Sequence, residues 1–125
     1  MTEQRFTGKH VLITGASSGI GQATVVRFVS EGAKVFGLAR SAEGLEETKS
    51  LFADPEMFGY ATCDVGDESA VRDGVAAAAE YLDGRINVVA NVAGLTLKTP
   101  LAEYDSEVAR KLMDVNFHGP MRVIA

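Results

Sequence analysis

Residues 14–21 constrain the fold more than any other part of the sequence. They read Thr-Gly-Ala-Ser-Ser-Gly-Ile-Gly and directly follow an apolar run at residues 11–13. The apolar run predicts a buried strand, and the glycines predict a tight turn that leads into a helix. Such a helix points its free N–H groups and the positive end of its dipole at the turn, which suits a phosphate group. A turn without any ligand is the alternative.

Strand and helix patterns alternate along the whole chain. The predicted strands are residues 11–13, 34–39, 57–63 and 86–90. The predicted helices begin near Gly19, at Ser41, at Asp67 and at Asp105 or Ser106, and the first three end at Gly32, Asp54-Pro55 and Asp83-Gly84. This alternation predicts one α/β domain over residues 1–125, a Rossmann-like open parallel sheet with helices on both faces. The expected strand order is 3-2-1-4, with a ligand crevice at the carboxyl ends of strands 1 and 4.

The composition is that of a globular domain without disulfides. The 125 residues are 46% hydrophobic and 23% charged, with a net charge of −5 and one cysteine, Cys63. The negative charge argues against a nucleic-acid partner, and no apolar run is long enough to cross a bilayer. The single cysteine suits a reducing compartment, and the polar first residues contain no secretory signal. We therefore expect a cytoplasmic protein.

The glycine spacing separates this motif from two other phosphate-binding motifs. It differs from the Gly-x-Gly-x-x-Gly of the general dinucleotide fold, and no Lys-Ser or Lys-Thr pair follows, as in a P-loop. The pattern Thr-Gly-x-x-x-Gly-x-Gly resembles the cofactor motif of the classical short-chain dehydrogenases/reductases. The resemblance implies that it binds the pyrophosphate of NAD or NADP. The residues that would contact the cofactor here are Thr14, Gly15, Ser17, Ser18, Gly19, Ile20 and Gly21.

The end of the second predicted strand indicates which cofactor is preferred. In a dinucleotide fold an acidic residue there binds the ribose 2′-hydroxyl of NAD, whereas an arginine accepts the 2′-phosphate of NADP. Ala39 occupies the position where NAD-preferring members of the resembled family usually carry Asp, and Arg40 the position that NADP-preferring members use. Ser41 offers a hydroxyl beside it. The sequence thus favours NADP over NAD, with a solvated loop arginine as the alternative.

The third predicted strand ends in a pair that resembles another family motif. Asp64 and Val65 match the Asp-Val pair that lies beside the adenine ring. The resemblance implies that Asp64 accepts a hydrogen bond from the adenine amino group. Capping of the loop before the next helix is the structural alternative, and both roles are compatible with one carboxylate.

The fourth predicted strand leads into Asn91-Val92-Ala93-Gly94, which is similar to the family's Asn-Asn-Ala-Gly. Val92 departs from that pattern. The resemblance implies that Asn91 braces the central sheet and that the backbone of Ala93 and Gly94 passes under the cofactor. A short residue is needed at position 94, because a side chain there would collide with the ribose.

Asn116 occupies the place of the family's catalytic asparagine in the last predicted helix. In the family the backbone carbonyl of that residue holds a water that leads to the active-site lysine. Pro120 offers a physical reason, because proline has no N–H to satisfy the carbonyl four residues earlier. The helix is expected to bend there, and a proline kink with a surface asparagine is the alternative. The two histidines, His10 and His118, have no metal or catalytic partner nearby in sequence and are interpreted as structural.

The family's other catalytic residues have no counterpart in this sequence. The resemblance implies a serine after a fifth strand and a Tyr-x-x-x-Lys pair on the next helix, but no tyrosine here has a lysine four places later. We therefore expect the first half of the family's fold, inactive by itself. Its parent would move a hydride between NADP(H) and a small alcohol or carbonyl substrate.

Two other functions stay open at this point: a nucleotide-binding module without catalysis, and a folding or oligomerisation fragment that binds nothing well.

The fourth strand would be an unpaired apolar edge, and the apolar face of the last helix would be uncovered. Exposed edges and apolar faces of this kind promote association. We therefore expect a homo-oligomer.

Overall fold

Four parallel strands form one sheet in the structure, a computed structural model that describes residues 4–95 and 101–125. The strands are β1 (His10–Thr14), β2 (Lys34–Ala39), β3 (Phe58–Thr62) and β4 (Val88–Asn91). Their order is β3-β2-β1-β4, and every neighbouring pair is parallel. The predicted topology is confirmed, and the carboxyl ends of β1 and β4 lie side by side.

Helices connect the strands and cover both faces of the sheet. They are α1 (Gly19–Ser30), α2 (Ala42–Lys49), α3 (Glu68–Tyr81), α4 (Ser106–Met113) and α5 (Gly119–Ile124), with a π-helical segment (Asp114–His118) and 3-10 turns at Pro55–Met57 and Leu101–Glu103. On one face Val25 and Leu45 pack against the sheet. On the other face Val71, Ala78 and Leu82 do so. Each fully buried valine or leucine contributes about 1.5–3 kcal/mol through the hydrophobic effect.

Side-chain caps begin three of the helices at predicted positions. The carboxylates of Asp67 and Asp105 accept hydrogen bonds from the amides two and three residues later, at the starts of α3 and α4. Ser41 accepts one from the amide of Gly44 at the start of α2. At the end of α1, Gly32 has a φ of +95°, the left-handed conformation of a helix-terminating glycine.

The second helix is shorter than predicted. It ends at Lys49 and not at Asp54-Pro55. The reason is that Asp54 caps a separate 3-10 turn, in which its carboxylate accepts a hydrogen bond from the amide of Glu56 at 3.0 Å. The periodic pattern continues past Lys49 because Phe52 still packs against the same core.

The fourth strand begins two residues later than predicted, at Val88. Asn87 takes part in a different kind of pairing with β1. Its side-chain oxygen accepts a hydrogen bond from the amide of His10 at 2.8 Å, and its own amide donates to the carbonyl of His10 at 2.9 Å. At this end of β4, a hydrogen bond to a side chain therefore takes the place of a backbone hydrogen bond between the strands.

A π-helical segment interrupts the last predicted helix, just before Pro120 in the first turn of α5. Arg122 holds this region to the loop after β3. Its guanidinium donates to the carbonyls of Val65 and Asp114, each at 3.0 Å, and to the Asp114 carboxylate at 2.5 Å.

Among the helices of residues 4–95 and 101–125, none has both the length and the apolar content required to cross a membrane.

Candidate nucleotide-binding site

A cleft of about 410 Å³ lies at the carboxyl ends of the strands. It brings together most of the predicted site residues, namely Gly15, Ser17, Ser18, Gly19, Ile20, Gly21, Arg40, Ser41, Asp64, Val65, Ala93 and Gly94. Three predicted site residues do not line it: Thr14, Asn91 and Asn116. The cleft is therefore built by all four strand ends, as expected for the ligand crevice of an open parallel sheet.

Two glycines allow the backbone of the loop after β1 to pack tightly. Gly15 has a φ of +72°, and a Cβ there would lie 2.9 Å from the backbone nitrogen of Ala93. A Cβ at Gly21 would lie 1.7 Å from the carbonyl oxygen of Gly15. Neither position accepts a side chain without displacement of backbone. Gly21, in the first turn of α1, consequently lies directly against Gly15. We call residues 15–21, which include this first turn, the glycine loop.

Backbone amides of the glycine loop are available to an anion. The amides of Gly15 and Ala16 both point at the carbonyl of Leu38, at 2.8 and 3.4 Å. Within the described residues, the amides of residues 17–21 have no acceptor. Ser18 is the N-cap of α1, but its side chain makes no capping hydrogen bond, and the first turn contains no acidic residue. The N-terminus of this helix is thus open to a phosphate.

Thr14 shapes the cleft from behind. Its side chain is buried, and its Oγ1 accepts hydrogen bonds from the amides of Val92 and Ala93, each at 3.1 Å. These bonds join the end of β1 to the segment that follows β4. Asn91, the last residue of β4, pairs with Thr14 in the sheet and is exposed.

Arg40 and Ser41 lie at the far end of the cleft, where β2 passes into α2. Both side chains are exposed. Ser41 Oγ accepts the capping hydrogen bond from Gly44 at 3.0 Å, which leaves its hydroxyl proton free to donate. In the described part of the chain no carboxylate pairs with Arg40. A guanidinium and a hydroxyl donor therefore face the cleft together.

Asp64 and Cys63 form the wall at the end of β3. One carboxylate oxygen of Asp64 accepts a hydrogen bond from the amide of Gly66 at 2.9 Å, which is the loop-capping role. The second carboxylate oxygen has no partner within the described residues, so it is free to accept a hydrogen bond from a ligand. Burial raises the pKa of the Cys63 thiol to about 11, with a further contribution from the charges of Asp64 and Asp67. Cys63 is thus a neutral, buried part of the wall.

Asn116 lies outside the lining and holds the chain that leaves β4. Its side-chain oxygen accepts a hydrogen bond from the amide of Leu95, and its side-chain nitrogen donates to the carbonyl of Leu95, both at 2.8 Å. A Cβ at Gly94 would lie 3.3 Å from this side-chain oxygen. The water-holding role of the Asn116 carbonyl stays a prediction.

Six lining residues were not among the predicted site residues: Leu38, Ala39, Cys63, Val92, Leu95 and Val115. The first four lie within two residues of predicted ones at strand ends, so their position was available from the strand pattern. Leu95 and Val115 enter the cleft only because the last helix packs beside the segment after β4, which no local sequence pattern indicates.

The chain is similar to known proteins over nearly its whole length. A model of the short chain dehydrogenase family matches residues 9–125. Levodione reductase from Leifsonia aquatica is 39% identical over 119 residues, which covers 92% of this chain and 44% of that protein. The NADPH-dependent 1-acyldihydroxyacetone phosphate reductase of Schizosaccharomyces pombe is 35% identical over 117 residues, covering 92% of this chain and 38% of that protein.

A solved structure gives the same assignment. A variant of actinorhodin polyketide ketoreductase with NADPH superimposes with a TM-score of 0.86 at 33% identity, covering 99% of this chain and 47% of that one. The chain therefore spans less than half the length of these three relatives. With the family model matching residues 9–125 and the sheet order β3-β2-β1-β4, the chain belongs to the short-chain dehydrogenase family.

Proposed function

We propose that the cleft binds a nicotinamide dinucleotide and prefers NADP(H) to NAD(H). The observation that carries the preference is the guanidinium of Arg40, unpaired within residues 4–95 and 101–125, beside the Ser41 hydroxyl at the end of a strand whose last residue is Ala39. A guanidinium and a hydroxyl are both donors that suit a phosphate, and no acidic side chain is present there to accept from a ribose hydroxyl. One relative's name and one solved neighbour's title refer to NADPH.

In this proposal each part of the cleft binds one part of the dinucleotide. The amides of residues 17–21 hold the pyrophosphate, and Arg40 with Ser41 holds the 2′-phosphate. The free oxygen of Asp64 accepts from the adenine amino group, and the backbone at Gly94 lies against the ribose. The tight backbone packing at Gly15 and Gly21 supports this fit, because it brings the start of α1, with its free amides, directly against the end of β1.

We further propose that the protein transfers a hydride between NADP(H) and an alcohol or carbonyl substrate. The cofactor supplies the hydride chemistry, and the residues described here bind and orient it. Asn116 enters through its backbone carbonyl as a water-holding group, because Pro120 has no N–H to donate to it. No proton donor is assigned among these 125 residues.

We also propose that copies of the chain associate, and that the protein is cytoplasmic. Met113, Phe117, Met121 and Ile124 form an apolar surface that runs along α4, the π-helical segment and α5, with exposures of 51%, 53%, 56% and 68%. Val89 on β4 adds a further exposed apolar side chain. Burial of such a surface between copies is favourable. Light scattering at micromolar concentration tests this part, and a monomer would contradict it.

The central experiment is calorimetric titration of the chain with NADPH and with NADH. We expect tighter binding of NADPH. Replacing Arg40→Gln removes a charge-assisted interaction with the 2′-phosphate, which corresponds to a loss of roughly 10- to 100-fold in affinity for NADPH. The affinity for NADH, which lacks that phosphate, should stay nearly unchanged.

The matched control is Arg72→Gln. Arg72 is an exposed arginine on α3 that pairs with Glu68 at 2.9 Å, away from the cleft. Its replacement changes the net charge by the same amount and should affect neither affinity. The NADP preference is wrong if NADH binds more tightly than NADPH, or if Arg40→Gln weakens both dinucleotides equally.

A further inference from the structure

Thr48 is a buried polar residue on the side of α2 that faces the glycine loop. No part of it is exposed. Its hydroxyl oxygen lies 2.9 Å from the carbonyl oxygen of Ala16 and 3.1 Å from the carbonyl oxygen of Gly44, so its single proton has two acceptors within reach. The same oxygen accepts a hydrogen bond from the side-chain amide of Gln22 at 3.1 Å. One hydroxyl therefore connects α2, the glycine loop and α1.

Gly44 lies one turn before Thr48 and allows α2 to approach the loop closely. A Cβ at this position would lie 2.8 Å from the Cβ of Ser17 and 3.0 Å from its carbonyl oxygen. Contacts this short between a Cβ and backbone require one of the two elements to move. Gly44 also donates its amide to Ser41, so the helix start that faces the cleft is part of the same contact.

We propose that Thr48 and Gly44 are positioning residues for dinucleotide recognition, because they set the separation between the two phosphate-binding parts of the cleft. One part is the amides of residues 17–21, and the other is Arg40 with Ser41 at the start of α2. The inference rests on the proposed function of the cleft. It adds that the preference for NADPH depends on residues that touch no part of the ligand.

The physical reason is that only NADPH engages both parts at once. Its pyrophosphate binds the glycine loop while its 2′-phosphate binds Arg40, so its affinity depends on how well the two are held in register. NADH lacks the 2′-phosphate and is less sensitive to the position of α2. A loosened or displaced α2 should therefore reduce the preference for NADPH over NADH, and not merely weaken all binding.

Thr48→Val tests this directly, because it keeps the shape of the side chain and removes the hydroxyl. We expect the Kd for NADPH to rise about tenfold, which corresponds to about 1.4 kcal/mol of binding free energy spent on bringing α2 back into register with the glycine loop. The Kd for NADH should rise clearly less. Thr48→Ser loses a methyl group but retains the hydroxyl, and it should keep most of the preference for NADPH. If side-chain volume were the determinant, Thr48→Ser would lose the preference and Thr48→Val would keep it.

Gly44→Ala is the second variant and works by a different route. Alanine is the better helix former, so α2 itself is not weakened, but the new methyl group pushes the helix away from Ser17. We expect the preference for NADPH to fall again. Ser50→Ala is the control, since among the described residues the Ser50 hydroxyl bonds only the carbonyl of Glu47, at the exposed end of α2.

Amide hydrogen exchange of the ligand-free chain provides a readout that does not depend on cofactor binding. The inference predicts faster exchange of the two hydrogen-bonded amides of the glycine loop, those of Gly15 and Ala16, in Thr48→Val than in the unmodified chain or in Ser50→Ala. It is overturned if loop exchange is unchanged, or if Thr48→Val and Gly44→Ala keep the full preference for NADPH. If the unmodified chain binds neither dinucleotide, the proposed function is wrong and the role in recognition is wrong with it. If the unmodified chain prefers NADPH and the variants keep that preference, only the inference is overturned.

Discussion

Asn116 and Leu95 exchange a closed pair of hydrogen bonds, in which the side-chain amide of the first meets the backbone amide and carbonyl of the second at 2.8 Å in both directions. An asparagine side chain can form such a pair because it carries a donor and an acceptor side by side, like a backbone strand. The pair fixes the segment after β4 against the last helix. Asn116 is therefore already engaged through its side chain, whatever its carbonyl binds.

Asn116→Asp should destabilise the fold at neutral pH by about 0.5–1.5 kcal/mol, because it places a carboxylate oxygen opposite the carbonyl of Leu95 at an exposed position. Below about pH 4 the introduced carboxyl is protonated and regains a donor. The difference in unfolding free energy from the unmodified chain should then shrink. Urea denaturation at pH 7 and pH 3.5 measures this, and a difference that does not depend on pH would contradict it.

Thr14→Val should destabilise the fold by about 1–3 kcal/mol, because the amides of Val92 and Ala93 lose their buried acceptor. Thr14→Ser keeps the hydroxyl and should cost clearly less. Urea denaturation of both variants measures the difference. A loss in Thr14→Ser as large as that in Thr14→Val would contradict this role of the hydroxyl.

Gly15→Ala should be more damaging than Gly8→Ala, although both glycines have nearly the same backbone conformation. Their φ angles are +72° and +77°, so both substitutions incur the left-handed penalty of about 1–2 kcal/mol. At Gly15 the new Cβ meets backbone, at Ala93, whereas at Gly8 no atom of the described residues lies within 4 Å of it. We expect an additional loss of about 1–3 kcal/mol at Gly15 from overpacking. Comparable unfolding free energies for the two variants would contradict this.

Glu31 should make the stability of the fold depend on pH in the acid range. Its side chain is 1% exposed, and hydrogen bonds from the guanidinium groups of Arg5 and then Arg27 lower its pKa from 4.5 to about 2, against the effect of burial. A carboxyl with a depressed pKa stabilises the fold above its unfolded pKa, and this is lost as the pH falls through the folded value. The unfolding free energy should therefore fall between pH 4.5 and pH 2.

Glu31→Gln should remove that part of the pH dependence, while the exposed Glu47→Gln should leave it in place. Thermal or urea denaturation across this range measures all three chains. A parallel loss of stability in the unmodified chain and in Glu31→Gln would show that other carboxyls are responsible.

Much of the fold was predictable because its signals are local. The continuous apolar run at residues 11–13 and the pattern at Lys34–Ala39 predicted two central strands, the second with its observed bounds. Asp67 and Asp105 predicted helix starts because a carboxylate satisfies amides two or three residues away. The failures occurred where a side chain served another partner, as Asn87 does at the start of β4.

The candidate site was predictable in its position more than in its roles. A glycine turn after a strand, and polar residues after two other strands, were enough to locate the cleft, because the carboxyl ends of parallel strands meet at one edge. Thr14 illustrates the limit. The motif named it as a contact residue, but its side chain turns into the protein and holds Val92 and Ala93.

The sequence by itself determined the alternation of strands and helices, the tight turn and the placement of Arg40 after β2, since periodicity, capping and backbone freedom act over a few residues. Only the tertiary structure decided which groups hold the cleft in shape. The hydroxyl of Thr48 reaches Ala16 across 32 positions of the chain, and Asn116 reaches Leu95 across 21. Such contacts depend on how closely two helices approach the sheet, which is a property of the packed interior and has no signature in either local segment.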